Sequence, residues 1–210
     1  MMSRFTIPTL FMYFPKDRRT KAIITAVVLV LVAGGLIALF VSRQAKLSQS
    51  FAIARKNASD VSQRIVELTS QTGDKITAAN KADLSGDSAR AQALLEEASG
   101  ANAEANRNAA DLAGYLKDLA TSLSSVRSVS SQRLAYEAIA TDLSLVSEFV
   151  AYTRDLDDFL EKLATAIDTG SGEGRRDAAT ALAKVNEGAK KINALNADFR
   201  SRMDEFDKSL

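Results

Sequence analysis

From Leu47 onward the apolar residues recur at alternating steps of four and three: Leu47, Phe51, Ala54, Ala58, Val61, Ile65 and Leu68. That spacing keeps one stripe of a helix apolar and forms a heptad seam. The stripe passes Gly73, a weak point for a helix, reaches Ile76 and stops at "DLSGDS", where Asp87 is placed to cap a second helix. The second stripe runs through Leu94, Leu95, Ala98, Ala105, Ala109, Leu112, Leu116, Leu119, Leu123 and Val126. Its first half, "EEASGANAEANRNAAD", is so rich in Ala that it predicts a thin, mobile stretch that a neighbouring helix can approach closely.

The stretch "TSLSSVRSVSSQ" holds no Gly or Pro, and its cluster of Ser marks the next turn. The third stripe is Leu134, Ala138, Leu145, Phe149, Tyr152, Leu156, Phe159, Leu163 and Ala166, widened by Leu143, Val146, Val150 and Ile167. This width predicts the most buried helix. "DTGSGEGRRD" interrupts the pattern with three Gly and reads as a flexible connector. The last stripe is Ala178, Leu182, Val185, Ala189, Ile192, Asn196, Phe199, Met203 and Phe206. Asn196 is its polar exception: either it takes the core position and fixes register or partner choice, or Leu195 takes that position and Asn196 lies at the edge.

These stripes predict helices over about 46–84, 88–125, 131–168 and 175–207. Similar lengths and short connections predict an all-α, coiled-coil-like, antiparallel up-down-up-down four-helix bundle. In it Leu47 and Phe51 meet Phe199, Met203 and Phe206 at one end, while Ile76, Leu94, Leu163 and Leu182 form the other. The turns "LSGDSARAQAL" and "GSGEGRRDAATAL" read alike, through a duplicated hairpin or through chance.

Ahead of the bundle lies a different pattern. Ala22 to Ser42 is a run of 21 residues without a charge, and at about 1.5 Å per residue a helix of that length crosses the ~30 Å hydrocarbon layer. A cleaved export signal has a shorter apolar region followed by small residues, whereas this run exits as "LFVSRQAK". The run is therefore expected to be an uncleaved signal anchor, a single transmembrane helix over 22–42 that contacts the lipid bilayer and continues into the bundle. Gly34 and Ala38 make one small-xxx-small pair on it. Arg4, Lys16, Arg18, Arg19 and Lys21 precede the run, and Arg43, Lys46, Arg55 and Lys56 follow more sparsely. This bias predicts a cytoplasmic N-terminal segment, 1–21, with its aromatic "FTIPTLFMYFP" at the headgroup boundary, and an extracytoplasmic domain over 43–210.

Composition narrows the chemistry. Of the 27 Lys and Arg, five precede the run, as does one of the 26 Asp and Glu, so the part from Arg43 onward carries 22 against 25. That balance lacks the basic footprint of a nucleic-acid binder. Pro8 and Pro15 are the two prolines, and a Pro-free remainder rich in Ala, Leu, Glu, Lys and Arg favours helix. There is no His and no Cys, which removes the commonest general base, the thiol nucleophile and soft metal ligands. No catalytic, cofactor-binding or metal-binding residue is assigned, and no cofactor is expected. The acidic group Asp155, Asp157, Asp158 and Glu161 has the chemistry for a hard cation, yet a charge run on one helix reads first as a solvated face. "GSGEG" lacks the lysine and the preceding strand of a phosphate loop. Arg175 and Arg176 oppose the dipole of the last helix, and Asp177 offsets them in part. Asn57-Ala58-Ser59 matches a glycosylation acceptor, a pattern that chance also supplies.

The outline resembles, in architecture alone, the extracytoplasmic four-helix sensing modules of bacterial chemoreceptors; the second span, linker helix and signalling domain of those receptors have no counterpart here. The function expected from these features is a non-enzymatic scaffold, tether or accessory subunit at the cell envelope, working through protein partners or self-association along its helical surfaces. The alternatives are an extracytoplasmic ligand-binding module that signals through a partner, with space for a pocket along the Ala-rich start of the second helix, or a cytoplasmic tether if the topology is reversed.

Overall fold

The computed structural model describes residues 49–126 and 128–209. The apolar run 22–42, the N-terminal segment 1–21, Leu47 and the first residues of the expected first helix lie outside the described residues. Among the described residues there are four long helices and no strand: α1 (Gln49–Leu84), α2 (Ser88–Ser122), α3 (Val129–Thr169) and α4 (Gly172–Ser209), with a single 3-10 turn at Leu123–Ser125 after α2. None of the four is long and apolar enough to cross a membrane.

The ends of these helices follow from local chemistry. Gly86 adopts a φ of 80°, open to a residue without Cβ, and Asp87 next to it accepts the Arg90 N–H at 3.1 Å, which caps α2. The α3–α4 turn uses the same device. Gly170, at φ 62°, ends α3 in the left-handed region, and the Ser171 hydroxyl beside it accepts the Gly174 N–H at 3.2 Å. Consequently α4 starts at Gly172, three residues before the expected boundary, and "GSGEG" is mostly helix rather than a flexible connector. Likewise α3 starts at Val129 and not at 131, because Ser128 caps it by accepting the Ser131 N–H at 3.3 Å. Gly73 does not weaken α1; it is buried inside an unbroken helix, and its carbonyl accepts the Thr77 hydroxyl at 2.9 Å.

Cross-helix pairs show that successive helices run antiparallel. Arg64 pairs with Glu104 at 2.7 Å and Lys75 with Glu97 between α1 and α2. Gln92 donates to Asp168 at 3.2 Å between α2 and α3. Glu148 pairs with Lys191 at 3.4 Å and Glu137 with Arg202 at 3.2 Å between α3 and α4. With Asn106 on Thr153 as the second α2–α3 pair, one partner's number rises as the other's falls in each set.

The four sides of the bundle are unequal. The backbones of α1 and α2 lie close together, as do those of α3 and α4; α2 and α3 touch less extensively, and α1 and α4 approach only at isolated points. Small side chains explain the close sides. Ala91, Ala98, Ala105 and Ala109 of α2 are each almost fully buried, and interaxial distance shrinks with the side chains at the contact. Leu143, expected to widen the core stripe of α3, is 40 % exposed instead; Ala135, Ile139 and Leu160 complete the buried face.

α1 and α4 meet at the two ends. Phe51 and Phe206 pack at a tilt with ring centroids 6.1 Å apart, matching the expected contact at that end. One turn along, the Arg55 guanidinium donates to both oxygens of Asp207 at 3.2 Å. At the opposite end Arg175 grips Asp83 with two bonds of 2.8 and 3.1 Å. The Arg55 side chain is only 5 % exposed, so its bond to Asp207 is little screened by water. Asp207→Ala is therefore expected to cost about 2–4 kcal/mol, whereas Glu97→Ala, at the exposed pair with Lys75, costs about 1 kcal/mol or less. Urea unfolding of the two variants measures the contrast; equal costs would show that Arg55–Asp207 behaves as an ordinary surface pair.

Candidate functional site

All four seams carry polar residues at core positions, and on α2, α3 and α4 these include an Asn or an Asp. On α2 the buried series passes from Ala98 to Ala105 through Asn102, and on α3 it passes from Ala138 to Leu145 through Asp142. On α4 it includes Asn196, while Leu195 is only half-buried. Asn196 thus takes the core place, the first of its two sequence readings. Asn102 and Asp142 went unassigned, although each fills a missing step of four and three in its stripe.

Asn102 is fully satisfied as a donor. Its amide donates to the Thr153 carbonyl and to Asp157, both at 2.8 Å. One turn along, Asn106 donates to the Thr153 hydroxyl at 2.7 Å, and that hydroxyl donates to the Val150 carbonyl at 2.9 Å. These bonds tie α2 to α3 through the stretch read from sequence as thin and mobile. Ala makes the stretch thin, and the two Asn anchor it.

Asp142 has a harsher setting. Its side chain is 3 % exposed, and its Oδ1 has no hydrogen-bond partner. The 3.5 Å approach of Thr141 to Asp198 puts it level with the turn of α4 that carries Asn196. Burial without a cation pushes the carboxyl up to about 7, because the charged form loses its hydration. A neutral carboxylic acid therefore sits in the core at mildly acid pH.

Beside this layer the core contains a cavity of about 60 Å³. Its inner walls are Leu145, Val146, Phe149 and Tyr152 of α3 with Ala109 and Leu112 of α2. Ser62, Ile65 and Thr69 of α1 and Ala189, Ile192, Asn193 and Asn196 of α4 form the rest. The half-buried members, Thr69, Ile192 and Asn193, belong to α1 and α4, so the cavity opens through the seam where those helices stand apart. It reaches the Ala-rich half of α2 only at Ala109; the space expected along the start of that helix is taken up by close packing against α1 and α3.

The other features singled out in the sequence are dispersed. Asp157 accepts from Asn102, Asp158 accepts from Lys162 at 2.6 Å, and Glu161 faces solvent. Among the described residues no three carboxylates converge in a way that could hold a metal ion. Arg175 is committed to Asp83, and Asn57 lies within α1 rather than on a loop.

The titration of Asp142 has a direct consequence for stability. Unfolded, the carboxyl titrates near 3.8; folded, near 7. Between those values the folded chain holds a proton that the unfolded chain has released. The stabilisation present below about 4 is therefore lost as pH rises through 7. Asp142→Asn is expected to remove this loss, making the variant more stable than the parent by about 1–3 kcal/mol at pH 8 and leaving a smaller gap near pH 5. Unfolding midpoints of both proteins at the two pH values test this; parallel pH dependences would mean that Asp142 does not titrate in the folded core.

Comparison with protein-family models, curated proteins and solved structures finds no match to this chain.

Proposed function

We propose that this chain is a membrane-anchored spacer: a non-enzymatic scaffold or tether whose apolar run over 22–42 holds it in the bilayer while the helical bundle projects outside the cytoplasm. The observation that carries this reading is the length and placement of the bundle. Helices of 35 to 41 residues make a rod of about 52–62 Å, and Gln49, the first described residue of α1, stands close in sequence to Ser42, the last residue of the apolar run. The Phe51–Phe206 end is then the membrane-proximal one, and the turns at Gly86 and Gly170 lie at the far tip.

The non-enzymatic part rests on residue types. Without His or Cys, a catalytic role would fall to carboxylates, Lys, Tyr or Ser, and the surface carboxylates described above are spread along helices or committed to ion pairs. The sides of the rod carry charges of both signs, while the large exposed apolar side chains among the described residues lie on two helices, Ile53 and Leu84 on α1 and Val129, Tyr136 and Leu143, seven residues apart, on α3. Such a surface suits partner proteins of the envelope better than nucleic acid.

The test is protease accessibility of a tag placed after Leu210, in spheroplasts of expressing cells with and without detergent. Cleavage in intact spheroplasts is expected. Protection until detergent is added would reverse the topology and make the chain a cytoplasmic tether, and recovery of the full-length chain in the soluble fraction after lysis would remove the anchor altogether.

A further inference from the structure

The cavity between α1 and α4 is a gap in an otherwise close-packed core, and protein interiors rarely leave a space larger than a water molecule. About 60 Å³ is several times the room that one water requires. Its lining includes no Lys, Arg, Asp or Glu, so a charged occupant would give up its hydration for nothing in return.

The polar groups of the lining are unequal. The Ser62 hydroxyl already donates to the Ala58 carbonyl at 2.8 Å, and Thr69 donates to Ile65 at 2.7 Å. Tyr152 is different: its ring packs beside Phe149 and over Gly188, it is 6 % exposed, and its hydroxyl makes no hydrogen bond to the described residues. The hydroxyl is not sealed off from solvent, so a small molecule in the cavity can reach it. Burial also pushes this hydroxyl up to about 12, which keeps it a neutral donor at physiological pH.

We infer that the cavity is a binding site for a small uncharged molecule with an apolar body and one oxygen acceptor, such as a short ketone or ether, which receives the Tyr152 hydroxyl proton in a hydrogen bond while its carbon end lies against Phe149 and Ala189. The volume suits about four to six heavy atoms. Entry runs past Thr69 and Asn193, half-buried polar residues of α1 and α4 that line the cavity. This inference does not depend on the spacer reading or on the direction of the anchor.

The experiment uses the full chain in detergent micelles with labelled Ile, Leu and Val methyl groups, titrated with 2-butanone and, separately, with butyrate and butylammonium. Saturable shifts confined to methyls around the cavity, Ile65, Val146 and Ile192, are expected with 2-butanone alone. Tyr152→Phe weakens that binding by about three- to tenfold, the worth of one neutral hydrogen bond. Ala189→Leu fills the space and abolishes it; Thr69→Leu, at the half-exposed mouth, serves the same purpose if the first variant does not fold. The inference is overturned if 2-butanone gives only linear, delocalised shifts in the parent protein, if the filled variants bind as the parent does, or if the charged analogues bind equally well. Unchanged affinity in Tyr152→Phe would overturn the assigned role of the hydroxyl and with it the acceptor in the ligand.

Discussion

Closure of the bundle rests on how α1 meets α4. The close packing of α1 on α2, and of α3 on α4, makes two hairpins that are each two-sided, and the α2–α3 contact joins them along one edge. A four-sided core exists only when the opposite edge is also shut. That edge is held at its ends, by Phe51 on Phe206 with Arg55 on Asp207 and by Arg175 on Asp83. The two clasps differ in kind. Arg55 is nearly buried, so its bond to Asp207 is little screened by water. Arg175 is 44 % exposed and supplies geometry more than energy.

Between the clasps the core becomes imperfect. The cavity, Ser62, Asn196 and Asp142 belong to the same middle region, and each departs from the rule of an apolar, filled interior. Polar residues at seam positions are a recognised means of setting register between helices at some cost in stability. Asn102 does this between α2 and α3 with all its donors used. Asp142 does not, since its buried Oδ1 is left without a partner. A unique alignment therefore coexists with a weakened centre, and the weakness lies where α1 and α4 are least tied. If the bundle opens anywhere, the distribution of contacts directs it to this seam.

The two turns share a construction that supports a long, straight arrangement. A glycine at positive φ ends one helix, and the next residue, Asp87 or Ser171, caps the following helix at once. With so few residues in each turn, the helices cannot splay at the tip, and the Asp83–Arg175 pair ties α1 and α4 near the same place. A rod built this way suits the spacing role proposed above, with the central cavity as a separate feature of its flank.

The four helices, their order and their approximate lengths were legible in the sequence because a step of four and three is a property of each helix alone: apolar residues at that spacing share a face whatever the helix packs against. The turns were legible because Gly, Asp and Ser act within a few residues of themselves, although Gly170 and Ser171 complete theirs in fewer residues than the run of three glycines implied. Which polar residues face inward depended on neighbours. Asn102 is buried because Thr153 and Asp157 of α3 stand opposite it, and Asp142 because the step of its own stripe carries it into a wall made by other helices. Leu143 faces solvent despite its chemistry, since none of the other described helices covers it. The cavity, the open α1–α4 side and the raised titration of Asp142 are likewise consequences of how four cylinders of unequal thickness fit together. The chain alone determined that there would be a helical bundle; only tertiary packing decided where that bundle is closed, where it is hollow and which of its charges are held out of water.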